Sequence, residues 1–338
     1  MKFSPLLLAL VSLSSASALA APLSINGAGA TFPYPLYTKW FSEFQKVDAD
    51  AQINYQSLGS GAGIRQLQEK TIDFGATDSP MSDEQLAKSG SPVVHIPTVL
   101  GAVVVTYHLP GIEKGMHLSG PVIAELFLGT ISKWNDPKIA ALNPGMKLPD
   151  IAVLSVHRSD GSGTTGIFTD YLSKVSPEWK SSIGQGTAVS WKGGLGGKGN
   201  EGVTGVIKQS PGSIGYVELI YAENNHLPYA SVENAAKKFV APEIKSVSAA
   251  AAGALKTMPA DFRISVTNAE GKDAYPISGF TYLLVYSTLP KGKGEKIVHF
   301  LKWAVTEGQK FAAPLYYAPL PKELVKKVEA KIATLEVK

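Results

Sequence analysis

The sequence predicts an α/β fold built on mixed, mainly parallel sheets flanked by helices. Three observations carry that expectation. Strand-like and helix-like stretches alternate along the chain, as strand–helix–strand units require. Turns that lead from a strand into a helix pair a small hydroxyl residue with glycine or proline, as at Thr31, Ser60 and Ser162. The 338 residues suffice for two ordinary cores, yet they contain no long linker, repeat or low-complexity tract. Two lobes would therefore be joined by strands crossing between them, not by a flexible tether.

The first residues read as an address. Lys2 precedes the apolar run Leu6-Leu7-Leu8-Ala9-Leu10-Val11, and Ala18-Leu19-Ala20 follows. The run is too short to span a membrane, and the small residues make an A-x-A cleavage signal. Residues 1–20 are expected to be a signal peptide, cleaved near Ala20/Ala21 during export to the periplasm. The sequence has no Cys, which excludes a disulfide framework, a thiol nucleophile and the cysteine of a lipid anchor. The net charge of +4 is mild for this length. It suits attraction of an anion and does not call for a nucleic acid or a membrane partner.

In chain order, Leu23 to Asn26 reads as a strand leading to Gly27-Ala28-Gly29-Ala30-Thr31-Phe32-Pro33. A helix then shows one apolar face through Leu36, Tyr37, Trp40, Phe41 and Phe44. Ile53 to Gln56 alternates like a strand and runs into Ser60-Gly61-Ala62-Gly63 and a second helix. A strand ending at Ala76 reaches Asp78, and Ser82 with Gln85 forms a capping-box pattern. Val93 to Tyr107 is a nearly continuous apolar run, expected to be a buried strand leaving the first lobe. Ile151 to Val156 is another strand. It meets Arg158-Ser159-Asp160-Gly161-Ser162-Gly163-Thr164-Thr165, and a helix marked by Ile167, Phe168, Tyr171 and Leu172 follows. Gly193 to Gly199 reads as a glycine-rich loop, either on the surface or lining a cleft mouth. Ser213 to Val217 and Thr281 to Tyr286 are later strands, and helices are marked by Ile297 to Ala304 and Leu324 to Ile332.

The stretch Arg158 to Thr165 carries the chemistry. A helix start leaves unpaired N–H donors and partial positive charge, which favour an anion. Arg158 adds a planar, permanently charged fork. A plain surface ion pair of Arg158 with Asp160 would not need the run of hydroxyls and glycines beside it. In α/β folds ligands bind beyond the carboxyl ends of strands. Thr31, Ser60 and Asp78 lie at such ends, although Asp78 could equally be a turn residue before Pro80.

Competing motifs fail. Gly197-Lys198 is followed by Gly199 where a P-loop needs Ser or Thr, and Phe32 stands where a dinucleotide fingerprint needs Gly. Ser162 has Asp160 and Ser60 has Leu58 where a nucleophile elbow needs Gly. The histidines His95, His108, His117, His226 and His299 show no metal spacing. His157 should point away from Arg158 on a strand, to pack or face solvent.

With these motifs in this order, the chain resembles the PstS family, the periplasmic phosphate-binding proteins of phosphate ABC importers. The resemblance rests on Gly27 to Pro33, Asp73 to Asp78, Arg158 to Thr164, Gly194 to Asn200 and Gly215 to Glu218. It departs at Ser60-Gly61-Ala62-Gly63, where relatives often carry a second Ser and paired Gly. It implies a two-lobe periplasmic binding protein fold of type II-like architecture, with the ligand in the interlobe cleft. Lobe 1 would comprise 21–104 plus 279–338, and lobe 2 would comprise 105–278. It implies a non-enzymatic, monomeric protein that binds inorganic phosphate without a cofactor or metal. Its partners would be inner-membrane permease subunits with a cytoplasmic ATPase. By matching position, the phosphate contacts would be Thr31, the Phe32 backbone N–H, Ser60, Asp78, Arg158, Ser162, the Gly163 backbone and Thr164, with Asp160 orienting Arg158. Sulfate or molybdate binding and a secreted phosphate-ester hydrolase are the alternatives. An ionised Asp78 is acceptor-only, so it would welcome the proton of phosphate and repel an unprotonated anion.

Overall fold

The structure is a computed structural model that describes residues 22–338; the expected signal peptide lies outside them. The chain starts with β1 (Leu23–Gly29), α1 (Tyr34–Val47), β2 (Ala51–Ser57), α2 (Ser60–Gln68), β3 (Phe74–Thr77) and α3 (Asp83–Ala87). Strand β4 (Val93–Tyr107) leads into β5 (His117–Leu118), α4 (Gly120–Leu128), α5 (Pro137–Leu142), β6 (Leu154–Arg158), α6 (Gly163–Val175) and α7 (Pro177–Ser182). Next come β7 (Leu195–Gly197), α8 (Gly199–Gln209), β8 (Ser213–Glu218), α9 (Leu219–Asn224), β9 (Ser231–Glu233), β10 (Phe239–Val240) and α10 (Ile244–Ala254). Strand β11 (Ser278–Tyr286) returns, and β12 (Thr288–Leu289), α11 (Lys293–Val305), α12 (Lys322–Ile332) and β13 (Glu336–Val337) finish the chain.

One curled sheet runs through the molecule in the order β2-β1-β3-β11-β4-β8-β6-β7. On one side β1, β2 and β3 are parallel, and β11 is antiparallel to both β3 and β4. On the other side β6, β7 and β8 are parallel, and β8 is antiparallel to β4. Strand β4 belongs to both halves. It pairs with β11 up to Ala102 and with β8 from Val103 onward. The nearly continuous apolar run that marks it in the sequence is buried from Val94 to Tyr107, because sheet neighbours and helices cover it.

Helices pack on both halves for ordinary reasons. Helix α1 buries Leu36, Tyr37, Trp40 and Phe44 on one face. There Tyr37 stacks on Trp40, and Phe44 packs edge-to-face with Phe300 and tilted against Trp303 on α11. Each such aromatic contributes about 1.5–3 kcal/mol by leaving water. In the other half Phe168 of α6 stacks on Tyr216 of β8, with Trp191 and Phe127 against the same ring. The Ser82 capping box forms as its spacing predicts.

The glycine-rich stretch differs from its sequence reading. Leu195–Gly197 is an edge strand in register with Val156 to Arg158, and Gly199 opens α8. Glycine is required for packing here, since a Cβ on Gly197 would lie 2.4 Å from the Val203 nitrogen. Closeness rather than flexibility explains the composition.

Candidate functional site

The site is assembled at the carboxyl ends of β1, β2, β3 and β6, where four turns converge. Strand β1 ends at Gly29, whose φ of +140° and 2.2 Å clearance from the Ala76 carbonyl oxygen admit no side chain. The chain then places Thr31 and Phe32 ahead of the proline-bearing first turn of α1. Gly59, at φ +95°, turns β2 into α2 with Ser60 as its first residue. Asp78 follows β3 directly. Arg158 is the last residue of β6, and Ser162 is the N-cap of α6, its Oγ accepting the Thr165 N–H at 3.0 Å. Ser60, Ser162 and Thr164 are fully buried, and Thr31, Asp78 and Arg158 nearly so.

The polar contacts knit these residues together. Arg158 donates from Nε to Asp160 Oδ1 at 2.8 Å and from Nη2 to Oδ2 at 2.6 Å, a bidentate pair that orients the guanidinium. Its Nη1 donates to Thr164 Oγ1 at 3.3 Å, and its backbone N–H donates to Tyr216 OH at 3.2 Å. Burial pushes the Asp160 carboxyl up, but the fork and charge of Arg158 and the Gly199 N–H outweigh it and hold the group below the usual carboxylate range. Asp78 Oδ1 accepts from Thr281 Oγ1 at 2.8 Å, and Oδ2 from Ser60 Oγ at 3.4 Å. Burial pushes its pKa up to about 7, against the opposing pull of Thr281, Arg158 and Ser60.

Contacts also run from one half of the sheet to the other. Gly163 N–H donates to Ser60 Oγ at 3.0 Å, and Gly61 N–H donates to the Gly161 carbonyl at 2.9 Å. Asn200, second residue of α8, meets Thr31 Oγ1 through its backbone and side-chain nitrogens, at 3.2 and 2.7 Å. Tyr221 OH donates to the Thr31 carbonyl across the same divide. The halves therefore stand against each other across the site.

All the residues singled out in the sequence lie in this one cluster. Asn200, Thr281 and Tyr216 were not among them. Asn200 and Tyr216 stand in motifs quoted for the family resemblance, so their positions carried a signal; Thr281 carried none, because its contact depends on strand order. His157 stacks on Trp191 at 4.7 Å and takes no part. What the arrangement can do is bind a small dehydrated anion. It offers a cationic fork, the N-termini of α2 and α6, several hydroxyls and a single acceptor carboxyl facing them.

A curled sheet of two halves with a polar site between them is the architecture of a two-lobe binding protein of the periplasmic kind. A family model described as a PBP superfamily domain matches residues 15–307. The phosphate-binding protein PstS of Xylella fastidiosa strain Temecula1 is 47% identical over 310 residues, covering 91% of this chain and 84% of its own. The PstS of Pasteurella multocida strain Pm70 is 47% identical over 317 residues, covering 93% and 91%. Among solved structures, a high affinity periplasmic phosphate-binding protein, PfluDING, bound with phosphate, aligns at a TM-score of 0.71 over 91% of this chain and 93% of its own, with 21% identity. The chain belongs to the PstS family of phosphate-binding proteins.

Proposed function

We propose that this protein binds inorganic phosphate in the periplasm and delivers it to an ABC-type import permease. The contacts would be Thr31, the Phe32 N–H, Ser60, Asp78, Arg158, Ser162, the Gly163 N–H and Thr164. The observation that carries the reading is the donor-rich cluster with one titratable acceptor. Near pH 7 phosphate carries one or two protons, so it needs many donors and at least one acceptor. Arg158, the helix N-termini and the hydroxyls supply the donors, and Asp78 takes the proton. Asp160 acts on Arg158 rather than on the anion.

Binding would close two lobes about the strands β4 and β11. The lobe boundaries proposed are 104/105 and 278/279, close to where β4 changes partners. Because the contacts come from both lobes, the anion is enclosed and released only on opening. The reading includes no chemical step, a single chain as the working unit, permease subunits with an ATPase as partners, and removal of a signal peptide near Ala20/Ala21. Among the described residues no helix is long and apolar enough to cross a membrane.

Calorimetric titration of the mature protein with phosphate, arsenate and sulfate tests the function. Phosphate and arsenate should bind one per chain, with sulfate at least about a hundredfold weaker. Phosphate affinity weaker than about 1 mM would overturn the reading.

A further inference from the structure

We propose that Asn200 is a positioning residue that sets the donor sense of Thr31 and Thr164, so that both hydroxyls turn their protons toward the anion. The inference rests on the phosphate reading above and extends it to a residue that need not touch the ligand.

The Glu218 backbone N–H can only donate, and it points at Asn200 Oδ1 from 2.9 Å. That decides which end of the amide is oxygen. The NH2 end therefore faces the two threonines, at 2.7 Å from Thr31 Oγ1 and 3.3 Å from Thr164 Oγ1. Asn200 is fully buried, so water cannot substitute for these partners.

Each hydroxyl then has both acceptor positions filled. Thr31 Oγ1 receives Asn200 Nδ2 and the Asn200 backbone N–H at 3.2 Å. Thr164 Oγ1 receives Asn200 Nδ2 and Arg158 Nη1 at 3.3 Å. A hydroxyl has two acceptor lone pairs and one proton. With the lone pairs taken, the proton is the only function left for a ligand. An anion needs that orientation, and a free threonine rotor would have to be turned into it at each binding event.

The amide also reads closure. Thr31 follows β1 in one half of the sheet, while Thr164 on α6 and Asn200 on α8 lie in the other, with Asn200 held by the Glu218 N–H of β8. Its nitrogen meets both hydroxyls only with the halves together. Asn200 thus couples the donor sense of Thr31 to the closed arrangement, whereas that of Thr164 is set within its own half. An aspartate there would accept only, drawing both threonine protons to itself.

A double-mutant cycle tests this by phosphate calorimetry on the mature protein, with thermal unfolding to check the fold. Asn200→Ala should weaken phosphate binding about tenfold or more. In a Thr31→Val background, which has no hydroxyl to orient at that position, the same change should cost at least about threefold less than in the wild type. Asn200→Asp keeps the shape and should lose at least about a hundredfold at pH 8. It serves as the second variant should Asn200→Ala not fold. Losses that multiply in the double mutant, or either Asn200 variant binding within about twofold of wild type, would overturn the proposal. Wild type that fails to bind phosphate would instead sink the functional reading itself.

Discussion

At the scale of single residues, Asp78 is the group whose chemistry changes most with conditions. Ionised, it would accept the proton of phosphate in the proposed site. Protonated, it becomes a donor like its neighbours. Burial places its pKa at about 7, so both forms are reached in an ordinary titration. As pH falls through that value, the carboxyl gains the proton and stops repelling an unprotonated anion. Sulfate affinity should therefore be weak at pH 8 and rise at least about tenfold by pH 5.5, since an unpaired buried charge contact costs ~2–5 kcal/mol. Asp78→Asn should bind sulfate with no such pH dependence. Titration of both proteins with sulfate at the two pH values decides it, and a wild-type profile as flat as the variant's removes Asp78 from this role. The sequence named Asp78 as a strand-end carboxylate but left it equal to an ordinary turn residue. What separates the two is the Thr281 hydroxyl, 203 residues away in the chain.

At the scale of elements, turns and helix starts were the most legible parts. The Ser82 box, the prolines at the start of α1 and the cap at Ser162 obey spacings of a few residues. The glycine-rich run at 193–199 was not legible, because a strand of Leu-Gly-Gly shows no alternation of side chains. Glycines also govern how α2 lies on the sheet. A Cβ on Gly63 would stand 2.6 Å from Gly29 Cα and 2.7 Å from the Ala28 carbonyl oxygen, both backbone atoms that cannot turn aside. Gly63→Ala should thus push α2 off β1 and destabilise the protein by about 1–3 kcal/mol. Chemical denaturation measures it. An unchanged midpoint would mean the helix shifts freely, and Ser60 would then not be held by this contact.

At the scale of the whole molecule, the proposed closure would depend on backbone meeting backbone. Gly61 and Gly161 face each other from opposite halves, with a Cβ on Gly61 only 3.1 Å from Gly161 Cα. Gly61→Val should leave the ligand-free protein folded, block compaction on adding phosphate and weaken binding by about a hundredfold. Small-angle scattering with and without phosphate reads this directly. Compaction equal to wild type would show that the halves close by another path. The pairing of β4 with β11 and β8 supports the same picture, since two crossing strands can twist but cannot let the halves drift apart.

Taken alone, the sequence determined the parts ruled by short spacings. These are the alternation of strands and helices, the helix starts that gather N–H groups, the buried run of β4, and the Arg158-Asp160 fork. Each follows from interactions among residues close in the chain, or from a single side chain's periodic burial. Only the tertiary structure decided which turns meet. Ser60 with Gly163, Asp78 with Thr281 and Asn200 with Thr31 are 103, 203 and 169 residues apart. Such contacts depend on the strand order and on the sheet curling about β4, which no local pattern encodes. The same burial that follows from this curling raises the pKa of Asp78 and fills the lone pairs of Thr31 and Thr164. The proposed specificity for a protonated anion would therefore be a property of the assembled molecule, written on residues the sequence could only nominate.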